Sequence, residues 1–439
     1  MSERRRYSVG AKKLPWYQRD LAHRILADGD RGYRDVLGSD SDSGPARAQF
    51  PRGSHVAYSL ELTEEEAAEF AAASNARYVE PDEEIPPARY VARPTGTAAV
   101  PTLATWSWMR GRYVDLRRWH GRDVPVAVLD QGTTAAVRAK MGYTLVVRTI
   151  TSGLTLGPGQ ELVDPDHTHG CLVAPNAVPA GGLLLDCIIS GDTGSAANSS
   201  IAAGIRWAVD NGAKVINISF GGPPGTPAQV IQDACIYARD NGGAQIVISA
   251  GNDDLSDIGS PASASRSFSG VHSAIAFDEA TDRRGLFSNH HADASGCTPG
   301  VDVASFDIHG YPARWNGTSA SAPHMAQLMV RALTGGQFTP TQVGAAFKAN
   351  TRDTGAGASE QGGGAYDLHR ALTALGVQPA TAAGVATPTH VDSRGVAAAT
   401  ASYSVTPAAG VTADDMQLVV LISQVDAHGI APPGWTILT

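Results

Sequence analysis

At 439 residues the chain has room for about two to four domains of roughly 100–200 residues each. Hydrophobic residues make up 43% of it, ordinary for a water-soluble globular protein, and no apolar run approaches the ~18 residues of a spanning helix, so no membrane partner is expected. The formal net charge of −9 argues against a nucleic-acid partner.

The N-terminus, M-S-E-R-R-R-Y-S-V-G-A-K-K, is basic and no apolar stretch follows it. It does not read as a secretory signal, which puts the expected location in the cytoplasm or on a virion-like particle. Residues 6–11 can form a strand and 16–27 a helix, with loop chemistry at 40–44. Residues 55–62 alternate, with Val56, Tyr58, Leu60 and Leu62 apolar, the period of a half-buried strand. Thr63 followed by Glu66 is a capping box. It opens a helix through Ala67, Phe70 and Ala71 that ends at Asn75, and 76–80 form a strand running into Pro81. Residues 1–87 therefore read as a small α+β unit. Pro, Ala and Thr dominate 88–105, the expected linker.

From Trp106 the pattern becomes α/β. Short, nearly continuous apolar runs, as in strands buried on both faces, stand at 124–129, 144–147, 183–189, 215–219, 245–249 and 273–277. Pro125 argues for the beginning of its strand or a bulge. Helical stretches alternate with them. Residues 199–211 put Ile201, Ile205 and Ala208 on one face with Gly212 beyond the end. Residues 226–241 begin Thr-Pro, a cap and an N1 proline, and stop before Gly242. This alternation predicts a parallel sheet with helices on both faces, and in such sheets sites lie beyond the carboxyl ends of strands. Asp130 is at such an end. The α/β region spans 106–376. Residues 377–399 are rich in Ala, Thr, Pro and Val and read as a second linker. Residues 400–439 hold strand-like runs at 401–405 and 416–422, too little for a stable lone sheet, so this short β segment is either truncated or packs on the preceding domain. The four cysteines, Cys171, Cys187, Cys235 and Cys297, lie far apart with no C-x-x-C. Neither a zinc site nor a disulfide framework is indicated; free buried thiols are expected. No metal and no cofactor is expected.

The most specific string is N-G-T-S-A-S-A-P-H-M-A at 316–326. A small-residue turn presents Ser319, and an apolar run to about Leu333 reads as a helix, with Pro323 expected in its first turn, where a missing N–H costs little. A serine at a helix start has its own N–H among the orphan donors of the positive end, able to serve an oxyanion. A generic G-T-S is most often a cap, but the full string resembles the nucleophile motif of the subtilisin-like serine proteases, N-G-T-S-x-A-x-P-H-x-A. Ser321 stands where that family usually has Ala, and Ala322 where it often has Ser; both are small.

The resemblance implies an Asp motif and then a His motif upstream. V-A-V-L-D-Q-G around Asp130 resembles V-A-V-I-D-S-G, which implies that Asp130 holds the histidine's tautomer. D-P-D-H-T-H-G-C-L-V-A resembles H-G-T-H-V-A-G with its His-Gly on His169 and Gly170. This implies His169 as the base, His167 as a surface loop residue and Cys171 as a buried structural thiol beside the base. Pro175 replaces the motif's final glycine. Because a residue before proline disfavours the α conformation, the helix after His169 is expected to be cut short and the family's calcium loop to be missing. S-A-G-N-D-D resembles A-A-G-N, which implies Asn252 as the side-chain oxyanion donor with Ala250 and Gly251 lining the substrate site. Ser219, Phe220, Gly221 and Gly222 resemble the S-L-G-G edge, to which an extended peptide adds as a strand; Phe220 suggests an apolar subsite.

In the N-terminal unit, Y-S-L-E-L-T-E-E-E-A … A-R-Y-V-E-P-D-E-E-I resembles the propeptide inhibitor of these proteases. That implies an intramolecular inhibitor whose end lies in the substrate cleft and is cut by the enzyme itself. Residues 400–439 faintly resemble the opening hairpins of β domains on phage tail and adhesion-type proteins, which implies membership of a larger assembly. Together these features predict a serine endopeptidase of polypeptides, made as a self-processed zymogen. The alternative is a scaffold of the same fold, impaired in catalysis and serving as a structural component of a particle or adhesin; the shortened segment after His169 motivates it.

Overall fold

The computed structural model describes residues 5–12, 34–35, 55–73, 76–87, 91–94, 118–151, 169–191, 194–279 and 281–377. The helix expected at 16–27, the loop at 40–44, His167 and the segment 400–439 lie outside the described residues. Contacts divide the chain into Met1–Val377 and Gln378–Thr439, and the described residues all fall in the first unit.

The N-terminal part carries β1 (Arg5–Lys12), β2 (Arg34–Asp35), β3 (His55–Leu62), helix α1 (Glu64–Ala73) and β4 (Ala76–Pro81). The strands form an antiparallel sheet in the order β2–β3–β1–β4. Its small core is Tyr7, Val9, Leu60 and Leu62 with Ala67 of α1. The capping box is formed: Thr63 Oγ1 accepts from the Glu66 N–H at 3.1 Å and Glu66 Oε2 from the Thr63 N–H at 2.9 Å. Two further strands leave this sheet, β5 (Glu84–Ile85) and β6 (Val91–Pro94). The second lies within the stretch expected as linker.

The central sheet collects β7 (Pro125–Asp130), β8 (Leu145–Ile150) and β9 (Leu183–Ile188), with α2 (Ala135–Met141) and α3 (His169–Ala177) between them. After the short β10 (Ala196–Ala197) come α4 (Asn198–Asp210), β11 (Val215–Ile218), α5 (Gln229–Asp240), β12 (Gln245–Ser249), β13 (Val271–Asp278), β14 (Arg283–Arg284) and β15 (Gly296–Pro299). The order is β14–β13–β12–β11–β7–β9–β8, with β15 beside β13. All pairings are parallel except β13 with β14. A hairpin of β16 (Val303–Phe306) and β17 (Pro312–Asn316) leads into α6 (Thr318–Ala332), followed by α7 (Pro340–Ala349), α8 (Ala358–Gln361) and α9 (Leu368–Ala374).

The period of two along β7 divides the core. Val126 and Val128 point into a cluster with Leu172 of α3, Met325 and Met329 of α6 and Phe347 of α7. Ala127 and Leu129 point into the opposite cluster with Ile201 and Ile205 of α4 and Ile231 of α5. Helices therefore cover both faces, as the alternation predicted. Pro125 opens its strand.

Three local expectations are corrected. Pro175 does not cut the helix after His169: α3 runs nine residues with Pro175 inside it. Its apolar face is buried against the central sheet, and the Asn176 side chain donates to the Leu172 carbonyl at 3.0 Å, so packing outweighs the loss of one N–H. Helix α5 begins at Gln229, not at Thr226, and Ala228 at its N-cap makes no side-chain cap. Pro323 is not in the first turn of α6 but at its sixth residue. There its missing N–H would have served the Ser319 carbonyl, which takes another donor described below.

Candidate active site

Asp130 is the last residue of β7 and His169 the first of α3. Asp130 Oδ1 lies 2.9 Å from His169 Nδ1, and both side chains are fully buried. Gln131 supports the pair from both ends. Its N–H donates to Asp130 Oδ1 at 2.8 Å, and its Oε1 accepts from the His169 N–H at 3.0 Å, satisfying one of the orphan donors at the start of α3. Gly170 makes this closeness possible, because a Cβ there would stand 2.2 Å from the Gly132 carbonyl oxygen. The imidazole is held edge-to-face between Phe220, at 5.9 Å between centroids, and Trp315, at 6.0 Å. Below the turn that follows Asp130, buried Asp186 accepts from Arg148 Nη2 at 2.8 Å and from Thr133 Oγ1 at 2.7 Å. Gln131, Trp315 and this Arg148–Asp186 brace escaped the sequence reading. Gln131 lies inside the quoted V-A-V-L-D-Q-G and Trp315 directly precedes N-G-T-S, the one signal that could have pointed to them.

Ser319 is the second residue of α6. Its hydroxyl donates to the Ser219 carbonyl at 3.2 Å, and the Ser219 hydroxyl donates to the Ser319 carbonyl at 3.2 Å. The second bond supplies the carbonyl that Pro323 leaves without its helical donor. Asn217 Nδ2 donates to Ser219 Oγ at 3.0 Å and fixes that hydroxyl in turn. Phe220 adjoins Ser219 in the chain, and its ring also touches His169, so the Ser219–Phe220 edge contacts both the hydroxyl and the imidazole.

Asn252 stands beside the start of α6. Its Oδ1 accepts from the Thr318 N–H at 2.8 Å and from Thr318 Oγ1 at 2.9 Å, which assigns the orientation of the amide: Nδ2 is on the side away from Thr318. Gly251 has φ +109°, and a Cβ there would meet Asn289 Nδ2 at 2.3 Å. The Gly251 N–H donates to Thr318 Oγ1 at 3.2 Å, and Ala250 beside it is fully buried.

The edges at β10 and at Ser219–Gly222 both pair with the chain's own N-terminal unit. β5 pairs antiparallel with β10, Ile85 opposite Ala196. On the other side the Gly221 N–H donates to the Pro86 carbonyl at 3.3 Å, and Pro87 bridges antiparallel to Phe220. Gly222 turns away, donating to the Ser260 carbonyl at 2.7 Å. Ile85 is buried with Phe220 and Ala196 in one apolar cluster. Two acidic residues anchor this segment. Helices α4 and α5 have alanines at their N-caps and no side-chain cap of their own. Asp82 accepts from the Ser199 N–H at 2.9 Å and from Ser199 Oγ at 2.5 Å, and Glu80 accepts from the Val230 N–H at 3.2 Å. Each carboxyl thus meets the positive end of a helix.

All four cysteines are free and buried. Cys171 accepts from the Thr134 N–H at 3.4 Å, and burial pushes its thiol up to about 11, so it holds no thiolate for chemistry near neutrality. Among the described residues no cluster of His, Cys, Asp and Glu could hold a metal ion, and no helix is long and apolar enough to cross a membrane.

The subtilase family model matches residues 121–365. The chain belongs to the subtilase family. It is 28% identical over 245 residues to alkaline elastase YaB of Bacillus sp. (strain YaB), covering 52% of this chain and 60% of that protein. It is 30% identical over 217 residues to subtilisin Savinase of Lederbergia lenta, covering 47% of this chain and 74% of the relative. Among solved structures it resembles fervidolysin from Fervidobacterium pennivorans, a keratinolytic enzyme related to subtilisin, with a TM-score of 0.62 at 21% identity over 87% of this chain and 62% of that one. The last likeness speaks for the fold. This subtilase therefore has the subtilisin-like α/β sheet expected of it and is a member of a family of serine peptidases.

Proposed function

We propose that this subtilase is a serine endopeptidase of polypeptides, made as a zymogen that cuts itself. The carrying observation is the buried Asp130–His169 contact, whose imidazole packs on Phe220, the neighbour of Ser219, whose carbonyl holds the Ser319 hydroxyl. In this reading His169 takes the Ser319 proton as the hydroxyl attacks the peptide carbonyl. Asp130 keeps Nδ1 protonated and stabilises the imidazolium, which then protonates the leaving amine. The Ser319 N–H at the start of α6 and the Asn252 amide receive the oxyanion. Water repeats the sequence on the acyl-enzyme.

Residues 83–87 take the place of the acyl side of a substrate. Pro87 bridges antiparallel to Phe220, the chain neighbour of Ser219, whose carbonyl holds the Ser319 hydroxyl, so the reading puts the cut one residue beyond Pro87. The bond cut is then Ala88–Arg89, and the N-terminal unit is an intramolecular inhibitor held by its two helix caps until release. The buried place of Ile85 favours substrates with a branched aliphatic residue three positions before the acyl residue. The impaired-scaffold alternative loses part of its motive, since α3 continues past Pro175. The idea of a larger assembly through 400–439 has no described residue to rest on.

Mass spectrometry of the purified chain tests the reading: wild type is cut after Ala88 while Ser319→Ala stays at full length. Labelling of Ser319 by a fluorophosphonate separates a competent site from a dead one. An intact, unlabelled wild-type chain after long incubation sinks the proposal.

A further inference from the structure

The chain does not end its contact with the cleft at Pro87. β6, the four residues Val91–Pro94, pairs antiparallel with β17, with Val91 opposite Asn316, Ala92 opposite Trp315, Arg93 opposite Arg314 and Pro94 opposite Ala313. The sheet order is β16–β17–β6, so β6 occupies the one edge of β17 that the hairpin leaves open. β17 runs into Gly317 and then Ser319. Its antiparallel partner therefore runs away from the nucleophile, while residues 83–87 run toward it. The strand is firmly backed. Ala313 and Trp315 are buried in the core, Asn316 Oδ1 accepts from the Asp302 N–H at 2.6 Å, and Arg314 Nη1 donates to Asp302 at 2.8 Å.

An open strand edge next to a nucleophile presents a row of main-chain donors and acceptors, a template for an extended chain. We propose that the edge of β17 is a docking strand for the leaving-group side of polypeptide substrates. It takes the third to sixth residues beyond the cut bond, and β6 is its resident occupant in the uncut chain. This rests on the peptidase reading and on the cut after Ala88. Main-chain pairing reads conformation and length rather than sequence, so the edge selects long, extended polypeptide segments over short peptides. Because β6 lies downstream of the cut, it remains covalently part of the protease after the N-terminal unit leaves. A long substrate must displace it, whereas a short one need not.

The test uses the full chain after self-processing and quenched peptides with one acyl side and leaving sides of two or six residues. The six-residue peptide should gain at least about tenfold in kcat/KM, the yield of one or two net backbone hydrogen bonds. N-methylation of alternate leaving-side residues should remove the gain in one alternating set and spare it in the other, since only every second residue faces its neighbour strand. Arg93→Pro, which weakens the resident strand, should raise kcat/KM for the six-residue peptide and leave the two-residue peptide unchanged. Equal rates for the two lengths, or equal effects of both N-methyl sets, overturn the docking strand while leaving the peptidase reading intact. If neither peptide is cut and Ser319 takes no fluorophosphonate, the peptidase reading fails and the docking strand with it.

Discussion

Ser219 and Ser319 hold each other reciprocally, each hydroxyl donating to the other's carbonyl at 3.2 Å. The arrangement depends on Pro323, which withholds the helical N–H from the Ser319 carbonyl. Ser219→Ala keeps the carbonyl that receives the Ser319 hydroxyl but leaves the Ser319 carbonyl and Asn217 Nδ2 without this partner in a buried site. The expected cost is about 1–3 kcal/mol of stability and, through the shifted start of α6, about tenfold in kcat. Thermal melting and turnover of the variant check both. An unchanged melting point would mean the carbonyl finds another donor.

Asn252→Ala should lower kcat by about 10²–10³ with little change in KM, the usual result of removing one oxyanion donor. Thr318→Val removes the hydroxyl that orients the Asn252 amide while keeping the Thr318 N–H bond, and should cost less. Steady-state kinetics on one peptide measures both. A loss confined to KM would remove Asn252 from the oxyanion role.

Gly170→Ala should be among the most damaging single-methyl changes. The added carbon would meet the oxygen and nitrogen of Gly132 at 2.2 and 2.8 Å, backbone atoms that cannot swing aside. The expected destabilisation is about 1–3 kcal/mol or more, and the displaced α3 carries His169 away from Asp130, so activity falls further than stability alone explains. Calorimetry and residual activity below the melting range separate the two effects.

The Glu80 cap on α5 gives the N-terminal unit a pH dependence. Burial raises the Glu80 carboxyl above its ordinary range, against the lowering effect of the N–H bonds from Val230 and Gln229, and burial raises Glu84 in the same direction. A carboxyl raised in the docked state contributes fully below its ordinary value, and that contribution is lost as pH rises through the raised one. The uncut Ser319→Ala chain should therefore hold its N-terminal sheet less firmly as pH climbs from the acid range toward neutrality. Adding Glu80→Gln should flatten the dependence. Hydrogen exchange of β1 to β4 across that range is the measurement, and identical slopes for the two chains would exclude Glu80 as a cause.

Native Cys171 should resist iodoacetamide at pH 8, with activity retained, because its thiol is buried and pushed up to about 11. It should be alkylated once the chain is unfolded. Rapid inactivation of the native enzyme with label on Cys171 would contradict the burial.

The candidate site residues were legible from motifs that resemble those of the family, and the structure puts them at the ends of elements: Asp130 at a strand end, His169 and Ser319 at helix starts, Asn252 after a strand. The strands of the central sheet were readable from their apolar runs, since both faces are covered. The misreadings came where distant segments replace local rules. Thr226–Pro227 looks like a helix start, but the cap on α5 comes from Glu80 in the N-terminal unit. Pro175 looks like a helix stop, but burial of α3 carries the helix two residues further. The Pro-rich stretch after Pro87 looks like a linker, but four of its residues complete a sheet with β17.

The sequence by itself determined the family, the order of the sheet-forming segments and the identity of the candidate acid, base, hydroxyl and amide, because periodicity, turn chemistry and motif spacing are local properties of the chain. Only the tertiary structure decided what supports them: the reciprocal serines, Gln131 spanning Asp130 and His169, the aromatic walls of the imidazole and the strand on β17. These are contacts between residues tens to hundreds of positions apart, and no local pattern encodes which distant group will meet an orphan carbonyl or an open strand edge.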